Sequence, residues 1–355
     1  MLLEGLHIPL TTPFHPDGRL NPHKLASNVA RYSKTPAAGL IVLGPSGEPT
    51  LLSDDEVREA LRTAVQSASL EKVLIAAISR DSVHATLALA DFAAEENYDA
   101  LLIGIPSMFA VDAKPRETLT YFLTVADRSP IPIVLLSANR RAIPIDTIVE
   151  LAAHPQIIGL FSADSKQSQS ATIAEILSRT AAIRREVNVT PTFAAVTSRM
   201  EIAAEASQRA ARASILISAG TLAGAATAIA EPPTMSRPVR TRTRTVGFQI
   251  IAADTAAVLS GLGVGAVGIA PSFAACAPQA CYEVFAAWKD NDKPLAEEKQ
   301  ERLNQAAPLA EATPGALKFA CDLNGYFGGL PRLPHLPPTG VQRAELESQM
   351  KTLRN

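Results

Sequence analysis

GLIVLGPSGEPTLLSDDE, residues 39–56, is the stretch on which the fold turns. It opens on a short apolar run, passes through a tight turn at Gly44-Pro45-Ser46-Gly47-Glu48, and then reaches Ser53 three residues ahead of Glu56. A serine at a helix N-cap and a glutamate at N3 satisfy each other's backbone amides, so a helix starts here, with Val57, Leu61 and Val65 along one face. An unalternating apolar run reads as a strand buried on both sides, as in a parallel sheet covered by helices.

The same unit repeats in both directions. Upstream, GLHIPL leads through the turn His15-Pro16-Asp17-Gly18 to a helix capped by Asn21, with Pro22 in its first turn and Leu25, Val29 and Tyr32 on one face. Downstream, KVLIAAIS (72–79) precedes a helix from about Ser82, and DALLIGIP (99–106) precedes one from about Pro115. PIVLLS (132–137) and QIIGLF (156–161) are each trailed by helical periodicity. VGFQIIAAD (246–254) and GAVGIAP (265–271) supply two more strands, with a short helix at 255–262 between them. Eight such units predict a (β/α)8 TIM barrel over residues 1–293 rather than an open doubly wound sheet. Residues 294–355 then form a helical extension packed on the barrel.

One segment stands outside this rhythm, an Ala/Arg-rich insertion at 182–245 between the sixth and seventh strands. It holds nine arginines against four glutamates, so it carries +5 while the rest of the chain carries −7. Its single aromatic, Phe193, provides no stacking platform for nucleic acid, so it reads as a solvated loop or a contact to an acidic neighbouring subunit, with a helix at about 200–213.

Bulk composition narrows the function classes. Hydrophobic residues make up 47% and charged residues 19%, enough apolar material for a large core. A net charge of −2 gives no general attraction to nucleic acid or an acidic membrane, which leaves small molecules as the expected ligands. Cys276, Cys281 and Cys321 lack CxxC spacing and read as buried thiols. The six histidines are dispersed without HxxxH or HExxH spacing, and no strand leads into GxGxxG, so neither a metal nor another cofactor is expected. The opening MLLEGLHIPLTTPF has no basic leader, and no apolar run reaches the ~18 residues of a membrane span. A cytoplasmic protein is expected.

In a barrel of this kind the chemistry belongs at the C-terminal ends of the strands. There the Gly44–Gly47 turn is either an anion cradle, with the Ser46 hydroxyl as an added donor, or an ordinary βα turn. Read in order, GLHIPLTTPFHPDGRL, GLIVLGPSGEPTLLSDDE, SPIPIVLLSANRRAIPIDTIVELAAHPQIIGL and ALKFACDLNGYFGGLPRLPHLPP resemble successive segments of the dihydrodipicolinate synthase and N-acetylneuraminate lyase family. The likeness spans roughly 1–180 and 246–340. It implies a lysine at the end of the sixth strand that forms a Schiff base with a 2-oxo acid, usually pyruvate, followed by aldol chemistry through the enamine.

Carried over position by position, the family lysine falls on Phe161 and the tyrosine of the fifth strand on Leu136. The first hydroxyl residue of the family's glycine-rich turn falls on Pro45, and its tyrosine pair after the fourth strand on about Ser107 and Met108. No catalytic residue is therefore expected. The positions that match an anion site are Gly44, Ser46, Gly47 and Arg141, although Arg141, beside Arg140, also reads as a surface arginine. Ile105, Ser107, Met108, Leu136 and Phe161 are the expected pocket lining, smaller and more apolar than in the family.

The resemblance thus implies a catalytically silent homologue that binds a small carboxylate or 2-oxo acid. The alternative is an active lyase that uses another lysine, Lys166 or Lys318, or a mechanism without an imine. A homo-oligomer, dimer or tetramer, is implied by the same likeness.

Overall fold

Eight parallel strands close into a barrel in the computed structural model, which describes residues 1–109, 114–138, 141–163, 166–220 and 240–353. Six strands come first: β1 (Gly5–Pro9), β2 (Gly39–Val42), β3 (Val73–Ala77), β4 (Ala100–Gly104), β5 (Ile133–Ala138) and β6 (Ile157–Ala163). An antiparallel pair outside the barrel follows, β7 (Arg185–Val189) and β8 (Arg242–Val246), before β9 (Gln249–Ala252) and β10 (Gly268–Ile269) close the ring against β1. The strands β2, β3 and β4 are buried throughout, because one face fills the barrel and the other lies under helices.

Local signals set the helices. In α1 (Pro22–Tyr32) the Asn21 carboxamide oxygen accepts from the Lys24 amide at 3.1 Å, and in α3 (Val83–Glu95) Ser82 Oγ accepts from Ala85. In α2 (Asp54–Ser67) the capping box is complete: Glu56 N donates to Ser53 Oγ at 3.3 Å and Ser53 N donates to Glu56 Oε2 at 3.0 Å. Replacing Ser53 with alanine is expected to cost about 1 kcal/mol in urea unfolding, and Ser53→Asp to recover most of it. The ring of helices continues with α4 (Pro115–Arg128), α5 (Ile145–Ala152) and α6 (Lys166–Arg179).

A β-bulge decides which side chain of β6 enters the barrel. Ile133 pairs with Ile157 but Val134 pairs with Gly159, so Ile158 is an extra residue in that strand. Downstream of it the alternation resumes with Leu160 in the helix-facing core and Phe161 in the barrel interior, among Val134, Ile251, Ala253 and Ala270. Gly159 permits the close approach of β9: a Cβ there would lie 2.4 Å from the Gln249 carbonyl oxygen.

The described part of the inserted segment folds against the barrel. Val187 and Val189 of β7 pack on Leu2, and α7 (Ser198–Gly220) docks by its first turn under the N-terminal ends of β3 and β4. Ser198 N donates to the Asp99 carboxylate at 2.7 Å, and the Arg199 guanidinium donates to the carbonyls of Ala68 and Lys72. Arg185 donates to the carbonyls of Ala152 and His154, and Arg244 pairs with Glu4 at 2.7 Å. These arginines are spent within the chain, on the barrel face opposite the strand C-termini. Residues 221–239 lie outside the described residues.

After β9, α8 (Val258–Gly263) and α9 (Pro278–Lys289) complete the barrel's cover, and α10 (Lys293–Ala310), α11 (Pro314–Leu323) and α12 (Gly340–Met350) form the extension. Cys276, Cys281 and Cys321 are buried free thiols. No helix among the described residues is long and apolar enough to cross a membrane.

Candidate functional site

A cavity of about 530 Å³ opens where β2, β3, β4 and β5 end, at the C-terminal face of the barrel. Each strand contributes its end or its following turn: Leu43 to Pro45 and Glu48 after β2, Ser79 to Asp81 after β3, Ile105 to Ser107 after β4, and Ala138 at the end of β5 with Arg141 after it. Leu52 just ahead of α2 and Asp54 at its start add to the wall, and the C-terminal segment adds Pro314 and His335.

Most of the charged side chains in this wall are already engaged. Arg80 holds Asp54, with Nε and Nη2 at 3.2 and 3.0 Å from Oδ1. Ser107 donates to Asp81 twice, from its backbone amide and its hydroxyl, both at 2.5 Å. Those two bonds, with the nearby Arg141 charge, hold the Asp81 carboxyl below the ordinary aspartate range. Glu48, in a left-handed backbone conformation at φ 52°, is buried and pairs with the buried Lys318 ammonium at 2.5 Å. Among the described residues of the wall, Arg141 is the arginine that carries no ion pair. Its backbone is fixed by a bond from its amide to the Ala138 carbonyl at 2.6 Å.

Of the residues expected at an anion site, Gly44 and Arg141 line the cavity. Ser46 and Gly47 do not. The Ser46 hydroxyl turns toward the loop after β10 and donates to Ser272 Oγ at 3.1 Å, while Gly47 bonds by its amide to Gly44 and by its carbonyl to Thr12. The glycine-rich turn is thus a short 3-10 turn whose polar groups are used to hold it in place. Of the expected lining, Ile105, Ser107 and Leu136 reach the cavity. Met108 is 65% exposed outside it. Phe161 is 3% exposed and belongs to the barrel core against which Leu136 packs, so it lies in the packed interior and not on the cavity surface.

The two candidate substitute lysines are placed differently. Lys166 is the first residue of α6, and its side chain lies outside the described positions, as does Arg140. Lys318 is fully buried in α11, where its ammonium also donates to the Leu330 carbonyl at 3.1 Å and sits 4.2 Å over the Phe14 ring. Burial lowers its pKa and Glu48 opposes that shift. This lysine does not line the cavity. Sequence reading missed Arg80, Asp81, Asp54 and His335; the Arg80-Asp81 pair directly follows a barrel strand, which was the available signal. No cluster of three or more His, Cys, Asp or Glu suited to a metal occurs among the described residues.

Residues 2–183 match the profile of the Dihydrodipicolinate synthetase family. The chain belongs to that family. A 4-hydroxy-tetrahydrodipicolinate synthase of Acidiphilium cryptum is 24% identical over 359 residues, covering 99% of both chains. An N-acetylneuraminate lyase of Rhizobium meliloti is 30% identical over 171 residues, covering 48% of this chain and 56% of the relative. Among solved structures, a dihydrodipicolinate synthase of Bacillus anthracis superposes with a TM-score of 0.76 at 19% identity over the full length of both chains. The family protein YagE from E. coli K12, solved with pyruvate, superposes with a TM-score of 0.74 at 17% identity, covering 99% of each. These structural likenesses establish the barrel within the family; the profile ends just where the inserted segment begins.

Proposed function

We propose that this family member binds a small carboxylate or 2-oxo acid at the mouth of its barrel and is silent in Schiff-base chemistry. An imine needs a primary amine at the reacting carbon, and the position the family resemblance assigns to that amine is Phe161, packed in the core. The observation that carries the binding half is Arg141, an arginine on the cavity wall whose guanidinium has no ion pair among the described residues. The pyruvate complex of YagE supports a 2-oxo acid as the ligand class. Lys318 is a poor substitute nucleophile, because reaching a ligand would require breaking its buried pair with Glu48.

Borohydride treatment in the presence of pyruvate is expected to leave the intact mass unchanged. A stable adduct would overturn the silent reading, and its mapped position would name the lysine. Ligand binding is expected to raise the melting temperature with 2-oxo acids, and Arg141→Ala to abolish that shift while leaving the apo melting temperature within about 1 °C, since the residue is exposed and carries no ion pair among the described residues. Equal shifts in both proteins would remove Arg141 from the site.

A further inference from the structure

We propose that the ligand is a carboxylic acid with an apolar body of branched-chain or single-ring size, its carboxylate at Arg141 and its body against the hydrocarbon wall of the same cavity. This rests on the anion-binding reading above and specifies what it binds.

Size is the first argument. A cavity of about 530 Å³ falls in the range that encloses whole ligands of some size, whereas a three-carbon acid leaves most of it to water. The second is the state of the polar groups. A polyhydroxylated acid needs several unsatisfied donors and acceptors around its body, because each buried hydroxyl left without a partner costs binding. Here Arg80 is bonded to Asp54, both oxygens of Asp81 are taken by Ser107, Glu48 faces Lys318, and Ser79 Oγ accepts from the Gly104 amide at 2.8 Å. Among the described residues of the wall, Arg141, Thr50 and His335 are the polar side chains left without such a bond, too few to match the hydroxyls of a polyhydroxylated body.

Much of the rest of the described wall is hydrocarbon, from Leu52, Leu136, Pro45, Pro49, Ile105 and Pro314. Leu136 decides the character of this wall, since it stands near the C-terminal end of β5 beside the cavity and presents a branched alkyl group with no proton to give. A ring or isobutyl group placed there gains apolar burial that pyruvate has no atoms to gain. With roughly 100 Å² more apolar surface removed from water, the preference over pyruvate is expected to be about 30-fold or more.

Calorimetric titration of the full chain with pyruvate, 4-methyl-2-oxopentanoate, phenylacetate, phenylacetamide and gluconate tests this, with Arg141→Ala and Leu136→Ser beside the unaltered protein. The expected order places phenylacetate and 4-methyl-2-oxopentanoate about 30-fold or more tighter than pyruvate, with gluconate and the uncharged amide weakest. Arg141→Ala should weaken all acids together, and Leu136→Ser should shrink only the preference for apolar bodies. Pyruvate or gluconate binding as tightly as phenylacetate, with dependence on Arg141 intact, overturns this inference and leaves the anion site standing. If no acid binds in an Arg141-dependent way, the underlying reading fails with it.

Discussion

Phe161→Ala is expected to destabilise the protein by about 3–5 kcal/mol, the range for removing a buried phenyl ring from a well-packed core. Phe161 is 3% exposed and shares the barrel interior with Val134, Ile251, Ala253 and Ala270, whose short or branched side chains cannot fill the gap left by a ring. Phe161→Leu keeps most of the volume and is expected to cost about 1–1.5 kcal/mol. Urea unfolding measures both. A loss below 1 kcal/mol for the alanine variant would mean that the ring is not held by its neighbours. A position that has to present a reactive amine cannot also be optimised for packing, because the charged form is penalised by the same apolar neighbours that favour a phenyl ring. Phe161 lies on the packing side of that conflict.

The barrel was legible because its determinants are local. Ser53 with Glu56, Asn21 with Lys24 and Ser82 with Ala85 each act within three residues, and the strands are continuous apolar runs. Eight such units leave closure as the simplest way to bury both faces of every strand. The site was legible only in part, since side-chain direction there depends on distant partners. Ser46 turns away from the cavity because Ser272, 226 residues along the chain, receives its hydroxyl. Phe161 reaches the barrel interior through a bulge at Ile158, which a run such as IIGLF does not announce. The docking of Arg199 and Arg185 was illegible for a similar reason: the excess charge of the segment is plain in the sequence, but the carbonyls of Ala68, Lys72, Ala152 and His154 that take up these two arginines belong to other elements.

Arg332→Ala is expected to cost about 3 kcal/mol near neutral pH, and that cost should diminish in acid. The Arg332 guanidinium ties the C-terminal segment to the barrel: Nη1 donates to Glu56 Oε2 at 2.7 Å and to the Leu51 carbonyl at 2.6 Å, Nη2 reaches Glu56 Oε1, and Nε donates to the Gly18 carbonyl at 2.9 Å. The pair is only 16% and 23% exposed, so the loss approaches that of breaking a buried ion pair. Arg332 holds the Glu56 carboxyl at about 2 in place of the usual 4.5. A depressed folded-state pKa contributes stability that is fully present above about 4.5 and lost as pH falls through about 2, so the difference between variant and unaltered protein should narrow over that window. Glu311 slopes the other way. Burial raises its carboxyl to about 7, despite bonds from Thr255 Oγ1 and Phe273 N at 2.6 Å, so its contribution is complete below about 4.5 and lost as pH rises through about 7. Because Glu311 stays in both proteins, its slope cancels in their difference, and what remains in acid belongs to the Arg332–Glu56 pair. A difference that holds constant from pH 7 to pH 3 would assign the role of Arg332 to the carbonyls of Gly18 and Leu51 instead of to Glu56. The same strap carries His335 to the cavity wall, so ligand affinity in Arg332→Ala should fall along with stability.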